Sequence, residues 1–197
     1  MRLGLYDYLR VGHIKRWHNV NTIRQQTVAE HSYLVAIIAL DLYHGMVAVP
    51  SIPNVESEGL IDLLLGALFH DAPEAAAGDM PTPAKRLMRQ ITGDEDVFEK
   101  VDQYLMPELP YVGGTVDPKT AKYIKMADAI EGYHWITDNG AGTHAEIVKM
   151  SSRRRVEDLV QKYHAADPDA GWYEAVNRVL MAMGVPYVHK ESRISPP

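Results

Sequence analysis

The sequence predicts an all-α protein, folded as a single helical bundle. Three observations carry this expectation. Apolar residues recur at steps of three and four through each long segment, the spacing of one helix face. No stretch alternates apolar and polar residues in the manner of a half-buried strand. The breaks between periodic segments are rich in Pro, Gly and Asp. At 197 residues, 46% of them apolar, the chain is long enough to bury one sizeable core. One domain is expected over residues 1–185, with a C-terminal tail over 186–197 that ends in ESRISPP.

A short helix is expected over residues 3–11. In residues 28–46, Val28, His31, Val35, Ile38 and Leu42 share one face of a second helix. Ser57 before Glu58 makes a helix start. From there Leu60, Leu64, Ala67, Asp71 and Glu74 form a stripe through residues 57–75, with His70 adjoining it. Shorter helices are expected over 84–91 and 94–106. Pro118, near the first turn where a missing N–H costs least, opens a helix over 118–138. Its face carries Ile124, Asp128, Glu131 and Trp135. Tyr133, His134 and Trp135 read as core or interface. Helices over 144–165 and 170–183 complete the pattern. AVPSIPN, GDMPTP, PELPYVGGTVDP and AADPDAG mark the loops between them.

The net charge of −6 gives nucleic acid no electrostatic reason to bind, so no nucleic-acid partner is expected. A small anionic ligand needs a local basic pocket or a metal instead. The chain has no cysteine, which excludes disulfides, thiolate metal sites and cysteine catalysis. The N-terminus MRLGLYDYLRVGHIKRW lacks an apolar run followed by a cleavage site, and LVAIIAL and LLLGALF are too short to cross a bilayer. The expectation is a cytoplasmic protein with no membrane partner. SSRRRVEDL reads as a solvated helix face, since acidic residues follow its short basic run.

Several ionisable residues fall on apolar stripes. LLLGALFHDAPEAAAGDMPTPAKR runs from buried-helix character straight into His70, Asp71 and Glu74. An ionised carboxylate buried without a partner costs several kcal/mol, on the order of a broken salt bridge, so such groups call for a counter-charge or a cation. His31, His70, Asp71 and Asp128, drawn from three helices, offer the mixed nitrogen and oxygen ligation of a divalent transition metal. The residues alone leave plainer readings open. A histidine on an apolar face is often a hydrogen-bonded core residue, and Asp128 has the options of capping a helix or pairing with Lys125.

The four residues, in this order on helices, resemble the H…HD…D signature of the HD-domain phosphohydrolases. RWHNVNTIRQQTVAEHS (16–32), HDAPEAAAGDMPTPAK (70–85) and KMADAIEGY (125–133) are similar to three ordered blocks of its bacterial 5′-deoxynucleotidase branch. The same motifs occur in phage dATP triphosphohydrolases. The similarity covers roughly residues 5–140, and His18 stands where the bacterial enzymes tend to carry proline.

This resemblance implies an HD bundle with a metal site in its core, held by His31, His70, Asp71 and Asp128. Zinc is the expected ion, with Co, Mn, Ni and Mg as alternatives and a second ion near Glu74 and Asp79 as an option. Asp71 and Glu74 are the expected catalytic carboxylates, Glu74 as proton relay or general base. Arg16, Lys85 and Lys125 are expected on phosphate, Asp79 on the sugar hydroxyl and Trp17 against the deoxyribose, with Pro83 stiffening the wall of the site. Pro73, inside the helix proposed to align Glu74 with His70 and Asp71, makes a kink an alternative there. The implied activity removes deoxyadenine nucleotides, converting dATP to deoxyadenosine and triphosphate and acting also on dADP and dAMP. A broad 5′-deoxynucleotidase of monophosphates is the alternative, and a non-catalytic nucleotide-sensing scaffold the alternative of another class. A homo-oligomer, dimer or hexamer, is expected, in the host cytoplasm if the chain is phage-encoded.

Overall fold

The computed structural model describes residues 2–46, 57–107 and 117–186. Nine helices lie within them: α1 (Leu5–Leu9), α2 (Val28–Met46), α3 (Ser57–Phe69), α4 (Glu74–Ala77), α5 (Thr82–Thr92), α6 (Val97–Leu105), α7 (Pro118–Asn139), α8 (Gly142–Ala166) and α9 (Trp172–Ala182). No strand forms among the described residues, as expected of an all-α chain; two isolated bridges join Lys15 to Thr27 and Thr22 to Gly140. The expected loop AVPSIPN, most of PELPYVGGTVDP and the tail beyond Pro186 lie outside the described residues.

The core is built around α7. Pro118 takes its first turn and Asp117 caps it, accepting from the Lys119 N–H at 2.8 Å. α7 packs against α2, α3 and α8, so it is buried on more than the single face its periodicity suggests. Tyr123, Met126, Ile130, Tyr133, Trp135 and Ile136 are all buried from it. Val35, Ala39 and Leu42 of α2, Leu63 and Ala67 of α3, and Val176 and Leu180 of α9 close on them. A smaller cluster of Leu3, Ala72, Ala75, Leu105 and Met106 seats α1 and α4.

Two local departures from the expected elements shape the site. The helix predicted over 57–75 stops at Phe69, and residues 70–73 turn before α4 begins at Glu74. Pro73 supplies no N–H and disfavours helical backbone at Ala72, so the kink that the proline signals becomes a full break. The loop over 78–83 is shorter than expected, because α5 already starts at Thr82 and takes Pro83 into its first turn.

Residues 13–27 form a strap that runs from the first helix to α2. Backbone bonds fasten it at both ends: Arg16 N–H to the Gln26 carbonyl (2.9 Å), Val28 N–H to Ile14 (3.0 Å), and Ile23 N–H to Asn139 at the end of α7 (2.8 Å). Trp17 on this strap has φ 61°, the one left-handed residue other than glycine among those described. The strap carries Arg16 and Trp17 over the end of the core.

Candidate active site

His31 sits at the start of α2, where the apolar stripe carries it inward until it is fully buried. His70 and Asp71 follow the last turn of α3, and Asp128 projects from the middle of α7. His31, His70 and Asp71 bring one ligand atom each within 4.8 Å of one another. His31 Nε2 lies 3.2 Å from His70 Nε2 and 3.4 Å from Asp71 Oδ2, and His70 Nε2 is 3.5 Å from the same oxygen. Asp128 Oδ1 stands beside this triangle, 3.4 Å from His31 Nε2.

These edges fit a metal. Bonds of about 2.0–2.2 Å in a tetrahedral shell space their donor atoms about 3.3–3.6 Å apart. The ring orientations fit as well, because each histidine spends its Nδ1 elsewhere. His31 Nδ1 donates to Glu131 Oε2 at 2.5 Å, and His70 Nδ1 donates to the Ala67 carbonyl at 2.7 Å. Both Nε2 atoms are thereby turned toward the same point, as in carboxylate–histidine metal sites. A divalent ion is the species this donor set suits.

The electrostatics agree. Burial works against charge on Asp71, but His70, His31 and Arg16 outweigh it and hold its carboxyl far below the usual range. Burial is likewise overcome at Asp128, by Arg155 and His31. Burial and Arg16 oppose charge on His31, yet Glu131, Asp128 and Asp71 raise its pKa well above the ordinary value. The pocket favours positive charge at its centre.

A second ring of groups faces this triangle from the strap, α4 and α5. Arg16 reaches Asp71 at 3.8 Å and Asp79 at 4.0 Å, while its Nη1 is buried without a hydrogen-bond partner. Glu74 is buried; Lys85 lies 3.3 Å from its Oε1, and its Oε2 has no partner. Burial first, then the charge of Asp71, pushes the Glu74 carboxyl up to about 8. Burial also raises Asp79, against the pull of Arg16 and His18. His18 Nδ1 stands 3.4 Å from Asp79 Oδ2, so the residue that replaces the usual proline contacts this acid. Pro83 and Lys125 are both exposed, Lys125 one turn before Asp128.

Three contributors were not singled out in the sequence. Glu131 shares the stripe of Asp128 one turn on, and Gln26 lies inside the RQQTVAEHS block; both are fully buried. Arg155 comes from SSRRRVEDL, expected to be a solvated face. It is half exposed, but its Nη2 donates to Asp128 Oδ2 at 2.6 Å. A run of like charge hides one member that turns inward, and spacing along α8 alone does not distinguish it from its neighbours.

A helical bundle whose core ends in a His, His-Asp and Asp set defines the HD-domain class of phosphohydrolases. The chain belongs within it to the 5′-deoxynucleotidase YfbR-like family, whose model matches residues 6–139. A dATP triphosphohydrolase of Acinetobacter phage SH-Ab 15497 is 32% identical over 145 residues, covering 71% of this chain and 69% of the relative. A 5′-deoxynucleotidase of Cronobacter sakazakii is 30% identical over 182 residues, covering 83% and 85%. The solved structure of the cyanophage S-2L HD phosphohydrolase, bound to dA and one catalytic zinc ion, superimposes with a TM-score of 0.73 at 24% identity, over 93% of this chain and 99% of that one. That likeness establishes the all-helical HD fold. Among the described residues no helix is long and apolar enough to cross a membrane.

Proposed function

We propose that the protein hydrolyses 2′-deoxynucleotides, deoxyadenine nucleotides foremost, releasing triphosphate from dATP and acting also on dADP and dAMP. The carrying observation is the triangle of His31, His70 and Asp71 donor atoms, set beside an Arg16 guanidinium whose buried Nη1 stands 3.8 Å from Asp71 and makes no hydrogen bond. The names of the phage relatives support the choice of dATP. His31, His70, Asp71 and Asp128 would hold the ion, zinc foremost, with a second ion between Glu74 and Asp79 as the two-metal variant. A divalent cation bound there supplies Lewis acidity at the phosphoryl group and lowers the pKa of water.

The chain's own groups do the rest. Arg16 offers a planar fork to phosphate oxygens, joined by Lys85 and, from the rim, Lys125. Glu74 holds a proton near neutral pH and is placed to exchange it with the attacking water or the departing 5′-oxygen. Asp79 accepts from a sugar hydroxyl, and the Trp17 ring packs against C2′, where a ribose hydroxyl would collide. Such substrates lie in the soluble nucleotide pool, so the setting is the cytoplasm, or that of the host for a phage-borne chain. Exposed apolar side chains on α1 and α5, among them Leu5, Tyr6, Leu87 and Ile91, suit a homo-oligomer.

A second reading, a broad nucleotidase of deoxynucleoside monophosphates, is favoured by the long match to the Cronobacter enzyme. Release of phosphate and of triphosphate from dAMP, dGMP, dATP and dGTP by zinc-loaded protein separates the two. Triphosphate release from dATP ahead of dGTP is expected; turnover of monophosphates alone selects the second reading.

A further inference from the structure

A buried line of hydrogen bonds leads away from the metal centre to the strap. From His31 Nδ1 it passes to Glu131 Oε2 at 2.5 Å. Gln26 Nε2 donates to the other carboxylate oxygen, Glu131 Oε1, at 2.5 Å. The Trp17 indole N–H in turn donates to Gln26 Oε1 at 2.8 Å. The polarity is fixed, because an indole only donates and a carboxylate only accepts, so the Gln26 amide has one orientation that satisfies both. Gln26 and Glu131 are 0% exposed, which makes each of these bonds costly to leave unmade.

Trp17 needs such a restraint. Its backbone holds the left-handed region at φ 61°, a conformation that is unfavourable for a bulky residue. Its ring stands over Gly132, where an added Cβ would lie 4.0 Å from the indole Cη2. Between the strained backbone at one end and Gly132 at the other, the Gln26 bond is what sets the angle of the ring.

We propose that Gln26 is a positioning residue for sugar discrimination. It fixes the Trp17 indole against the 2′ carbon of the nucleotide by tying it to the carboxylate that orients His31. This rests on the reading of Trp17 as the deoxyribose wall. Without the bond, the ring rotates away from the sugar and a 2′-hydroxyl finds room.

The test uses full-length, zinc-loaded protein as wild type, Gln26→Leu, Trp17→Phe and the double variant. Gln26→Met, which keeps the side-chain length, is carried in parallel so that a folding defect in one variant does not decide the matter. Calorimetry gives dissociation constants for deoxyadenosine and adenosine, and turnover gives kcat and KM for dATP and ATP. Gln26→Leu or Gln26→Met is expected to lower the deoxy-over-ribo preference about tenfold, through tighter adenosine binding and a lower KM for ATP. Trp17→Phe removes the same N–H, so adding the Gln26 change to it should alter the preference by less than about twofold, whereas a general structural role would add independently. A preference shift under about threefold in the folded Gln26 variant, with Trp17→Phe effective, overturns the role of Gln26 and leaves the wall intact. An unchanged preference in Trp17→Phe overturns the wall and the proposal with it.

Discussion

Asp128 shows how much a single contact settles. Its two oxygens have different tasks: Oδ1 faces His31 Nε2 at 3.4 Å, and Oδ2 is held by Arg155 at 2.6 Å. Arg155 thereby fixes which oxygen is left for a cation, as groups behind a metal ligand do elsewhere, where their loss lowers metal affinity about 10–100-fold. Arg155→Ala is expected to weaken zinc binding within that range while leaving the metal-free melting temperature nearly unchanged, because the arginine is half exposed. Competitive zinc titration reads the first and thermal unfolding in chelator the second; unaltered zinc affinity would show that α8 has no part in the site.

Asp102 of α6, not itself a candidate ligand, provides a pH signature of its own. Burial pushes its carboxyl up to about 6 from an ordinary 3.8. A carboxyl whose folded pKa is raised binds its proton more tightly when folded. Its contribution is therefore favourable below the unfolded value and is lost as pH rises from about 4 through about 6. Asp102→Asn should remove this dependence. After allowance for solvent screening, the variant is expected to be about 1 kcal/mol more stable than wild type at pH 8 and no more stable at pH 4. Denaturant unfolding at the two pH values checks it, and an equal gain at both would rule out titration as the cause.

Among the elements, those with strong period were legible. α2 and α7 appear within a residue of the expected bounds because their apolar positions and the proline start leave little choice. The C-terminal end of α3 was not, although the turn that follows it carries the site. Periodicity continued through Asp71 and Glu74, but a proline overrides a stripe, and the chain turns at 70–73. The turn still brings Glu74 to the ring of acids and cations, now from a separate helix. Leu63 lies on the inner face of α3, fully buried against α2 and α7. Leu63→Ala leaves a cavity between α3 and its neighbours and should cost about 2–5 kcal/mol of stability, measured by denaturant titration. A cost under about 1 kcal/mol would mean that α3 packs more loosely than its burial indicates.

At the scale of the whole molecule, the site is a convergence that no single segment contains. His31 and Glu131 are 100 positions apart and Gln26 and Glu131 are 105 apart, yet both pairs touch. The candidate ligands stood out in the sequence because each lies on or beside an apolar stripe, and the HD resemblance then favoured them as ligands over plainer readings. Glu131 sat on such a stripe without a role, since its partner is chosen by how α2 crosses α7, and Arg155 was indistinguishable from a solvated arginine for the same reason. Convergence also links ligation to stability. A cation held from α2, from the turn after α3 and from α7 binds the folded chain and has no such site in the unfolded one. At a free zinc concentration about a thousandfold above Kd, binding should add about 4 kcal/mol, which for a chain of this size raises Tm by roughly 8–16 °C. His70→Ala removes one corner of the triangle and leaves the helices that bury Leu63 and Tyr133 untouched. Its metal-free Tm should therefore stay close to that of wild type, while the increment on adding zinc shrinks to a few degrees or less. Scanning calorimetry with chelator and with zinc measures both, and an increment in His70→Ala equal to that of wild type would place the stabilising ion elsewhere in the molecule.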